Sequence, residues 1–122
     1  MNILVIDDNS DINELLSVAL NGNGHEFSSV QDGREGLKKI KQNRYDIVLL
    51  DLAMPEFSGF DVLEALKKEG LIKKLKIILL TASSITDEEI TELLATGVTS
   101  YLRKPLDIDM FVEKIQQVHN GK

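Results

Sequence analysis

The sequence contains no cysteine, no tryptophan and only two prolines in 122 residues. The absence of cysteine excludes a disulfide framework, a thiolate metal site and a cysteine nucleophile. Apolar runs reach only about four residues, against the roughly 20 that a membrane-spanning helix needs, and "MNILVIDD" does not read as a signal peptide. We therefore expect a cytoplasmic protein without membrane insertion.

Positive charge is also scarce. The chain has 14 Lys and Arg residues against 20 Asp and Glu, which gives a formal net charge of -6 and a pI near 4.9. Because surfaces that bind nucleic acid concentrate Lys and Arg, we expect no direct nucleic acid partner. Apolar residues make up 43% and charged residues 28%, which is typical of a folded domain. With no repeat and no linker-like stretch, the length predicts one domain over residues 1–122.

Three apolar runs predict central strands: "ILVI" at 3–6, "IVLL" at 47–50 and "IILL" at 77–80. They are continuous and rich in β-branched residues, as in parallel strands that are covered on both faces. Two more polar runs, "HEFSSV" at 25–30 and "TSYLR" at 99–103, predict strands nearer the edges of the sheet.

Between these runs, apolar residues recur at helical spacing in five segments. The segments contain Ile12, Leu15, Leu16, Ala19 and Leu20; Leu37 and Ile40; Phe60, Leu63 and Leu66; Ile90, Leu93 and Leu94; and Phe111, Val112, Ile115 and Val118. We expect these stripes to pack on the sheet. The alternation of strands and helices predicts an α/β fold, a doubly wound parallel sheet of five βα units with helices on both faces.

Residues at the predicted helix ends agree with this assignment. They are a capping box at Thr86 and Glu89, an N-cap at Asp107, and helix stops at Asn43, Gly70 and Gly97. Gly59 is interpreted as freeing the backbone where the third helix begins.

Polar residues directly follow four of the predicted strands. Asp7 and Asp8 follow the first strand, Asp51 the third, Thr81 the fourth and Lys104 the fifth. Ligands of open α/β sheets bind outside the carboxyl ends of the strands. The sequence therefore predicts that three carboxylates, a hydroxyl and an ammonium group share one edge of the sheet.

Each of these residues alone has an ordinary structural explanation. Asp8, Asn9 or Ser10 could cap the first helix, and Asp51 could begin a turn. Lys104 could be a solvated charge. Capping explains only one aspartate of the first pair, however, and every such explanation would have to hold at four strand ends together. The combination therefore favours a functional site.

Crowding of Asp7, Asp8 and Asp51 requires compensation. Carboxylates about 5 Å apart repel by roughly 3 kcal/mol per pair at an effective dielectric constant near 20. A hard divalent cation would remove this cost, and Mg²⁺ fits best because it binds one or two carboxylates, keeps several waters and completes its shell with phosphate oxygens. The aspartates therefore predict a magnesium site that receives a phosphoryl group.

With the metal held, Asp51 is the candidate to attack phosphorus and form an acyl phosphate. Lys104 would hold a phosphate oxygen as a point charge, and Thr81 would donate a hydrogen bond to another. The backbone carbonyl of Ala53 could be a neutral metal ligand.

Four segments, in order, resemble the receiver domain of two-component response regulators: "VIDD", "LLDLAMPEFSGF", "ILLTAS" and "ATGVTSYLRKP". The resemblance extends from Met1 to about Val118. The chain looks like a single-domain, chemotaxis-type regulator. It implies a flavodoxin-like (βα)5 fold with strand order 2-1-3-4-5. It also implies a phosphorylation-dependent signalling switch that promotes only its own phosphorylation and dephosphorylation and is otherwise not an enzyme.

The resemblance further implies individual roles at the metal and phosphate site. Asp51 would accept a phosphoryl group from a histidine kinase, a phosphotransfer protein or a small phosphodonor. Asp8 would bind Mg²⁺ directly and Asp7 mainly through water, with Mn²⁺ as an acceptable substitute. The Lys104–Pro105 peptide bond is expected to be cis.

The same resemblance makes Thr81 and Tyr101 a switch pair, although an aromatic residue in a strand more often serves packing alone. Their movement would change the surface of the fourth helix, fifth strand and fifth helix, which would control a protein partner. Ala53 and Ser83 occupy positions that tune the lifetime of the phosphate in such domains, and we expect substitutions there to change dephosphorylation rates.

Other functions remain to be compared. A phosphatase of the haloacid dehalogenase type needs a general acid where this chain has Ala53. A flavodoxin-like cofactor carrier would bind phosphate in the loop after the first strand, where "DDNSD" would repel it. A phosphorelay intermediate, a phosphate sink, or a binding module that has lost phosphorylation are further alternatives.

Overall fold

The computed structural model describes residues 1–22, 24–82 and 84–121. This part of the chain alternates five parallel strands with five α-helices. The strands are β1 (Asn2–Ile6), β2 (Glu26–Val30), β3 (Ile47–Asp51), β4 (Ile77–Thr81) and β5 (Ser100–Arg103). The helices are α1 (Ser10–Asn21), α2 (Gly33–Gln42), α3 (Gly59–Lys68), α4 (Asp87–Ala95) and α5 (Ile108–His119). A short 3₁₀ helix that the sequence did not predict, Ile72–Lys74, precedes β4.

The strand order is β2-β1-β3-β4-β5, so the predicted doubly wound α/β fold and its order are confirmed. The two more polar strands, β2 and β5, lie at the edges as expected. Every residue of β3 and β4 is buried, because helices cover both faces of the central sheet. Within the described residues, no helix has both the length and the apolar character that crossing a membrane requires.

The core divides into two clusters because successive side chains of a strand point to opposite faces. One cluster joins the sheet to α1 and α5, through Ile3, Val5, Leu49, Ile78, Leu16, Leu20, Phe111, Ile115 and Val118 among others. The other joins it to α2, α3 and α4, through Leu4, Ile6, Leu50, Leu79, Ile40, Val62, Leu66 and Leu93 among others. Both faces of the sheet are therefore packed, and only the ends of the strands remain for polar chemistry.

The first helix is capped by Asn9, whose side-chain oxygen accepts the backbone N–H groups of Asp11 at 2.9 Å and Ile12 at 3.3 Å. Asn9 was one of three candidates for this cap, and its use leaves both Asp7 and Asp8 available for other contacts. The fold thereby separates the capping function from the paired aspartates.

The other predicted helix ends form as expected. Thr86 and Glu89 make a capping box, and Asp107 caps α5. Gly70 and Gly97 follow α3 and α4 with φ of 68° and 115°, a left-handed conformation that glycine adopts without steric cost. A second capping box, formed by Ser58 and Asp61 at the start of α3, was missed in the sequence.

Three residues of the predicted apolar stripes do not pack on the sheet. Leu15, Phe60 and Leu94 are 45%, 51% and 36% exposed, so the expectation that these positions are buried was wrong. Adjacent helical residues point about 100° apart, and Leu15 therefore cannot share the buried direction of Leu16. In α3 the buried face is formed by Val62, Leu63 and Leu66, and Phe60 lies outside it.

Gly59 serves a different purpose from the one predicted. Its φ is not in the left-handed region, so backbone freedom does not explain the residue. A Cβ atom there would clash with the carbonyl oxygen of Asp51 and lie 2.7 Å from the Cα of Leu52. Glycine lets the first turn of α3 pack directly against the end of β3.

Candidate functional site

The carboxyl ends of four strands meet at one edge of the sheet and bring the predicted polar residues together. Asp7, Asp51 and Thr81 are 0%, 3% and 0% exposed, respectively, whereas Asp8 is exposed. Lys104 directly follows β5, and its backbone N–H donates to the carbonyl of Thr81 at 2.7 Å. The edge therefore combines two buried carboxylates with one that faces solvent.

The three carboxylates form a compact cluster. One oxygen atom from each of Asp7, Asp8 and Asp51 lies within 4.8 Å of the others. Clustered carboxylate oxygens are the ligands that a hard cation such as Mg²⁺ prefers. The donor set therefore fits a magnesium ion, and the exposed carboxylate of Asp8 lies where the cluster meets solvent.

A single lysine ammonium lies beside two of these carboxylates. The Nζ atom of Lys104 lies 3.0 Å from Oδ2 of Asp7 and 3.5 Å from Oδ2 of Asp51. Three carboxylates and one ammonium leave a formal charge of -2 at the cluster, which one divalent cation would balance. The lysine alone reduces the repulsion and does not remove it.

The loops that follow β1 and β3 orient the two buried carboxylates in the same way. Asp7 Oδ1 accepts the backbone N–H of Asn9 at 2.9 Å, and Asp51 Oδ1 accepts that of Ala53 at 3.0 Å. In both residues the remaining oxygen, Oδ2, is the one nearest Lys104. Each aspartate is thus fixed by its own loop, with one oxygen left for chemistry.

Burial raises the pKa of Asp51 above the usual range of an aspartate. The backbone hydrogen bond from Ala53 opposes this effect, the negative charge of Asp7 raises the pKa further, and Lys104 lowers it. The ionised form of Asp51 is therefore costly in the protein alone, and a cation in the cluster would favour it.

Thr81 ends the strand next to β3, and Tyr101 lies two residues before Arg103 in β5. The hydroxyl of Thr81 donates to the backbone carbonyl of Leu102 at 3.3 Å. Tyr101 is half-buried and packs against the cluster shared by α2, α3 and α4. Pro105 follows a cis peptide bond, and Ser83 lies outside the described residues.

Two residues of the site were not predicted. Asn13 is buried in α1, and its Nδ2 donates to the backbone carbonyl of Asp7 at 2.9 Å, which fixes the junction of β1 and α1. Its signal in the sequence was a polar residue beside the apolar stripe of that helix. Arg103 donates to the carbonyl of Ile85 at 2.5 Å and pairs with Asp87 at 2.9 Å; no sequence pattern connects these positions.

The profile of a protein family described as the response regulator receiver domain matches residues 3–116. Among curated proteins, the chain is 34% identical over 116 residues to the transcriptional regulatory protein DltR of Streptococcus agalactiae, covering 95% of this chain and 50% of that protein. The chain thus spans about half the length of the curated relatives it matches.

Solved structures give the same result. A Francisella response regulator receiver domain superimposes with a TM-score of 0.87 at 30% identity, covering 98% of this chain and 96% of that one. The response regulator TrrA of Thermotoga maritima, solved in complex with Mg²⁺ and beryllofluoride, has a TM-score of 0.80 at 35% identity, covering 96% and 97%. With its fold, its carboxylate cluster and these matches, the chain belongs to the family of response regulator receiver domains.

Proposed function

We propose that the chain is a signalling switch whose Asp51 accepts a phosphoryl group in the presence of Mg²⁺. One observation carries the proposal: the Asp51 carboxylate lies 3.5 Å from Lys104 and within the 4.8 Å carboxylate cluster. A receiver domain of a two-component system is a phosphoacceptor module, and this cluster is the group of carboxylates at its expected phosphorylation edge.

The chemistry follows from the orientation of Asp51. Its Oδ1 is held by the N–H of Ala53, and Oδ2 attacks the phosphorus of a phosphohistidine or a small phosphodonor. A phosphorus–oxygen bond forms, the bond to the leaving group breaks, and the imidazole or donor anion departs with the electron pair. Lys104, already near Oδ2, binds a non-bridging oxygen of the acyl phosphate.

Asp7 and Asp8 hold Mg²⁺ in this proposal, and the carbonyl of Ala53 adds a neutral ligand. Mg²⁺ held there would neutralise charge on the transferred group and would reduce repulsion between the phosphoryl oxygens and the carboxylates. The Mg²⁺ complex of TrrA supports this choice of cation. Mn²⁺ is proposed as a substitute because it also accepts carboxylate and water oxygens.

The switch is assigned to Thr81 and Tyr101. The single hydroxyl proton of Thr81 now bonds to the Leu102 carbonyl, so it must leave that partner before it can donate to a phosphoryl oxygen. Tyr101, on the neighbouring strand β5, then repacks, and the surface formed by α4, β5 and α5 changes. We assign the tuning of the phosphate lifetime to Ala53 and Ser83, as the resemblance to receiver domains implies.

We assign the input to a histidine kinase or phosphotransfer protein and the output to a protein partner at the α4, β5 and α5 surface. The formal net charge of -6 favours protein contact over direct contact of these residues with nucleic acid. A phosphorelay intermediate or phosphate sink would use the same Asp51 chemistry without an output partner.

The phosphoryl transfer is tested by intact-mass measurement. The full chain is incubated with Mg²⁺ and acetyl phosphate or phosphoramidate, and wild type is compared with Asp51→Asn. One acid-labile phosphoryl group is expected on wild type and none on the variant. Phosphorylation of Asp51→Asn to the wild-type extent, or of neither protein, contradicts the proposal.

The same experiment addresses the phosphatase alternative. Ala53 supplies no general acid, so the donor should be consumed at a rate set by slow hydrolysis of the phosphorylated chain. Rapid, continuous phosphate release without accumulation of the phosphorylated species would favour a haloacid dehalogenase-type enzyme instead.

A further inference from the structure

The side chain of Arg103 joins strand β5 to the turn that follows β4. Its Nη1 donates to the backbone carbonyl of Ile85 at 2.5 Å, and its Nη2 pairs with Oδ1 of Asp87 at 2.9 Å. Ile85 ends a turn that begins at Ala82, since the Ile85 N–H donates to the Ala82 carbonyl at 3.2 Å. Arg103 thus connects one strand to both the turn and the first residue of α4.

The position of Arg103 connects this contact to the phosphate site. In the parallel register of β4 and β5, Arg103 is the partner of Thr81, and it directly precedes Lys104. Its guanidinium also lies 5.8 Å from the centre of the Tyr101 ring, within the range of cation–π contact. One side chain therefore contacts both the turn after Thr81 and the ring of Tyr101.

Thr81 is the last residue of β4, and the turn to Ile85 follows it directly. In the proposed function its hydroxyl leaves the Leu102 carbonyl for a phosphoryl oxygen, and the present proposal couples this change to a movement of the backbone that directly follows Thr81. The contact of Arg103 with the Ile85 carbonyl resists that movement, because a charged donor makes a stronger hydrogen bond than a neutral one.

We propose that Arg103 is a positioning residue that latches the β4–α4 turn in the unphosphorylated arrangement and so sets the affinity of the site for a phosphoryl group. This inference rests on the proposed function of Asp51 and Thr81. Arg103 does not touch the phosphate; it acts through Ile85, Asp87 and Tyr101. Loss of the latch lowers the cost of the phosphorylated arrangement, so a ligand that selects this arrangement binds more tightly.

Two substitutions, Arg103→Met and Asp87→Asn, separate the latch from a simple effect of charge. The two explanations predict opposite results for Arg103→Met. Arg103→Met removes a positive charge near an anion site, so electrostatics alone would weaken anion binding. Asp87→Asn removes a negative charge, so electrostatics alone would strengthen it. The latch predicts that both substitutions strengthen binding, because each removes part of the same contact.

Calorimetric titration of the full chain with beryllofluoride in the presence of Mg²⁺ tests the proposal. The dissociation constant is expected to fall about threefold or more in Arg103→Met, and about twofold in Asp87→Asn, whose side chain is 97% exposed. Arg103→Lys should give an intermediate value, because it keeps the charge and loses the two-pronged geometry. In the Arg103→Met background, Asp87→Asn should lower the dissociation constant no further than the control substitution Glu88→Gln does.

Glu88→Gln is the matched control, since Glu88 is exposed in the same first turn of α4 and its substitution removes the same charge. The latch is overturned if Arg103→Met weakens binding or leaves it unchanged, or if Glu88→Gln matches Asp87→Asn. Failure of wild type to bind beryllofluoride would instead contradict the proposed function, so the two failures are distinguishable.

Discussion

Each end of the sheet places a lysine next to the end of a strand, and the two lysines are used differently. At the carboxyl end, Lys104 lies between Asp7 and Asp51, at 3.0 and 3.5 Å. At the amino end, Lys76 directly precedes β4 and donates to the carbonyls of Val118 and His119 at 3.0 and 3.1 Å. One lysine faces two carboxyl groups and the other faces the end of a helix.

The amino end pairs its cation with neutral acceptors, two backbone carbonyls at the end of α5. The last carbonyls of a helix lack intrahelical partners and carry partial negative charge. Lys76 supplies two hydrogen bonds there, so its contribution is to stability. Lys76 thus caps the end of α5 from the position before β4.

The carboxyl end keeps an excess of charge. The cluster retains a formal -2 after Lys104 is counted, and burial raises the pKa of Asp51. Such an arrangement costs stability in the protein alone and is relieved by a bound cation. The difference between the two ends indicates that one lysine stabilises the fold while the other belongs to a site that is poised for a ligand.

The strongest way to test this contrast is to remove the lysine at the carboxyl end. Lys104→Met should reduce the rate of phosphorylation by acetyl phosphate by about 100-fold or more, as expected for loss of a charged group that stabilises the transferring phosphoryl. Intact-mass time courses measure this rate. Lys104→Arg should retain part of the wild-type phosphorylation rate, because it keeps the positive charge. A rate for Lys104→Met within about threefold of wild type would remove Lys104 from the proposed mechanism.

The excess charge of the cluster predicts a second, smaller effect. Without Mg²⁺ at neutral pH, Asp51→Asn should raise the free energy of unfolding by about 1–2 kcal/mol, because it removes one buried negative charge. Because its pKa is raised in the folded state, Asp51 binds its proton more tightly there, so the penalty of its ionised form is relieved as the pH falls. The advantage of Asp51→Asn should therefore shrink as the pH is lowered from 7 to about 4, where an ordinary aspartate also binds its proton.

Urea unfolding of both proteins at the two pH values, with EDTA or with Mg²⁺, measures this difference. Mg²⁺ should stabilise wild type more than the variant, since the variant supplies one carboxylate fewer. A variant that is less stable than wild type at neutral pH without Mg²⁺ would show that the cluster carries no net repulsion.

The smallest effect is expected at the amino end. Lys76→Met should lower the free energy of unfolding by about 1 kcal/mol and the melting temperature by about 3 °C, through loss of two hydrogen bonds to helix carbonyls. Lys76→Arg should recover part of this loss. The rate of phosphorylation should match wild type, and a slower rate would mean that the two ends of the sheet are coupled.

Much of the fold could be predicted because its signals are local. The runs at 3–6, 47–50 and 77–80 are apolar throughout, and such runs suit only strands that are covered on both faces. Capping at Thr86 and Asp107 depends on hydrogen bonds within one turn of the chain. The misplacement of Leu15 and Phe60 arose because a stripe of apolar residues fixes the buried face only to within one residue.

The candidate site was predictable in part for a related reason. Parallel strands end at one edge, so Asp7, Asp51 and Lys104 could be placed together from their positions after three apolar runs. The roles of Gly59 and Arg103 could not, since each depends on backbone atoms distant in sequence or across the sheet. A Cβ at Gly59 meets the end of β3, a contact that no spacing of residue types encodes.

By itself, the sequence determined which elements form, in what order, and which polar residues emerge at the carboxyl ends of the strands, because these follow from side-chain periodicity and strand direction. The tertiary structure decided the distances: which oxygen of Asp51 is bound by its loop, where the ammonium of Lys104 lies, and what Arg103 contacts. Those depend on packing between segments far apart in the chain, and the physical strength of a charge or hydrogen bond depends on such distances and on burial.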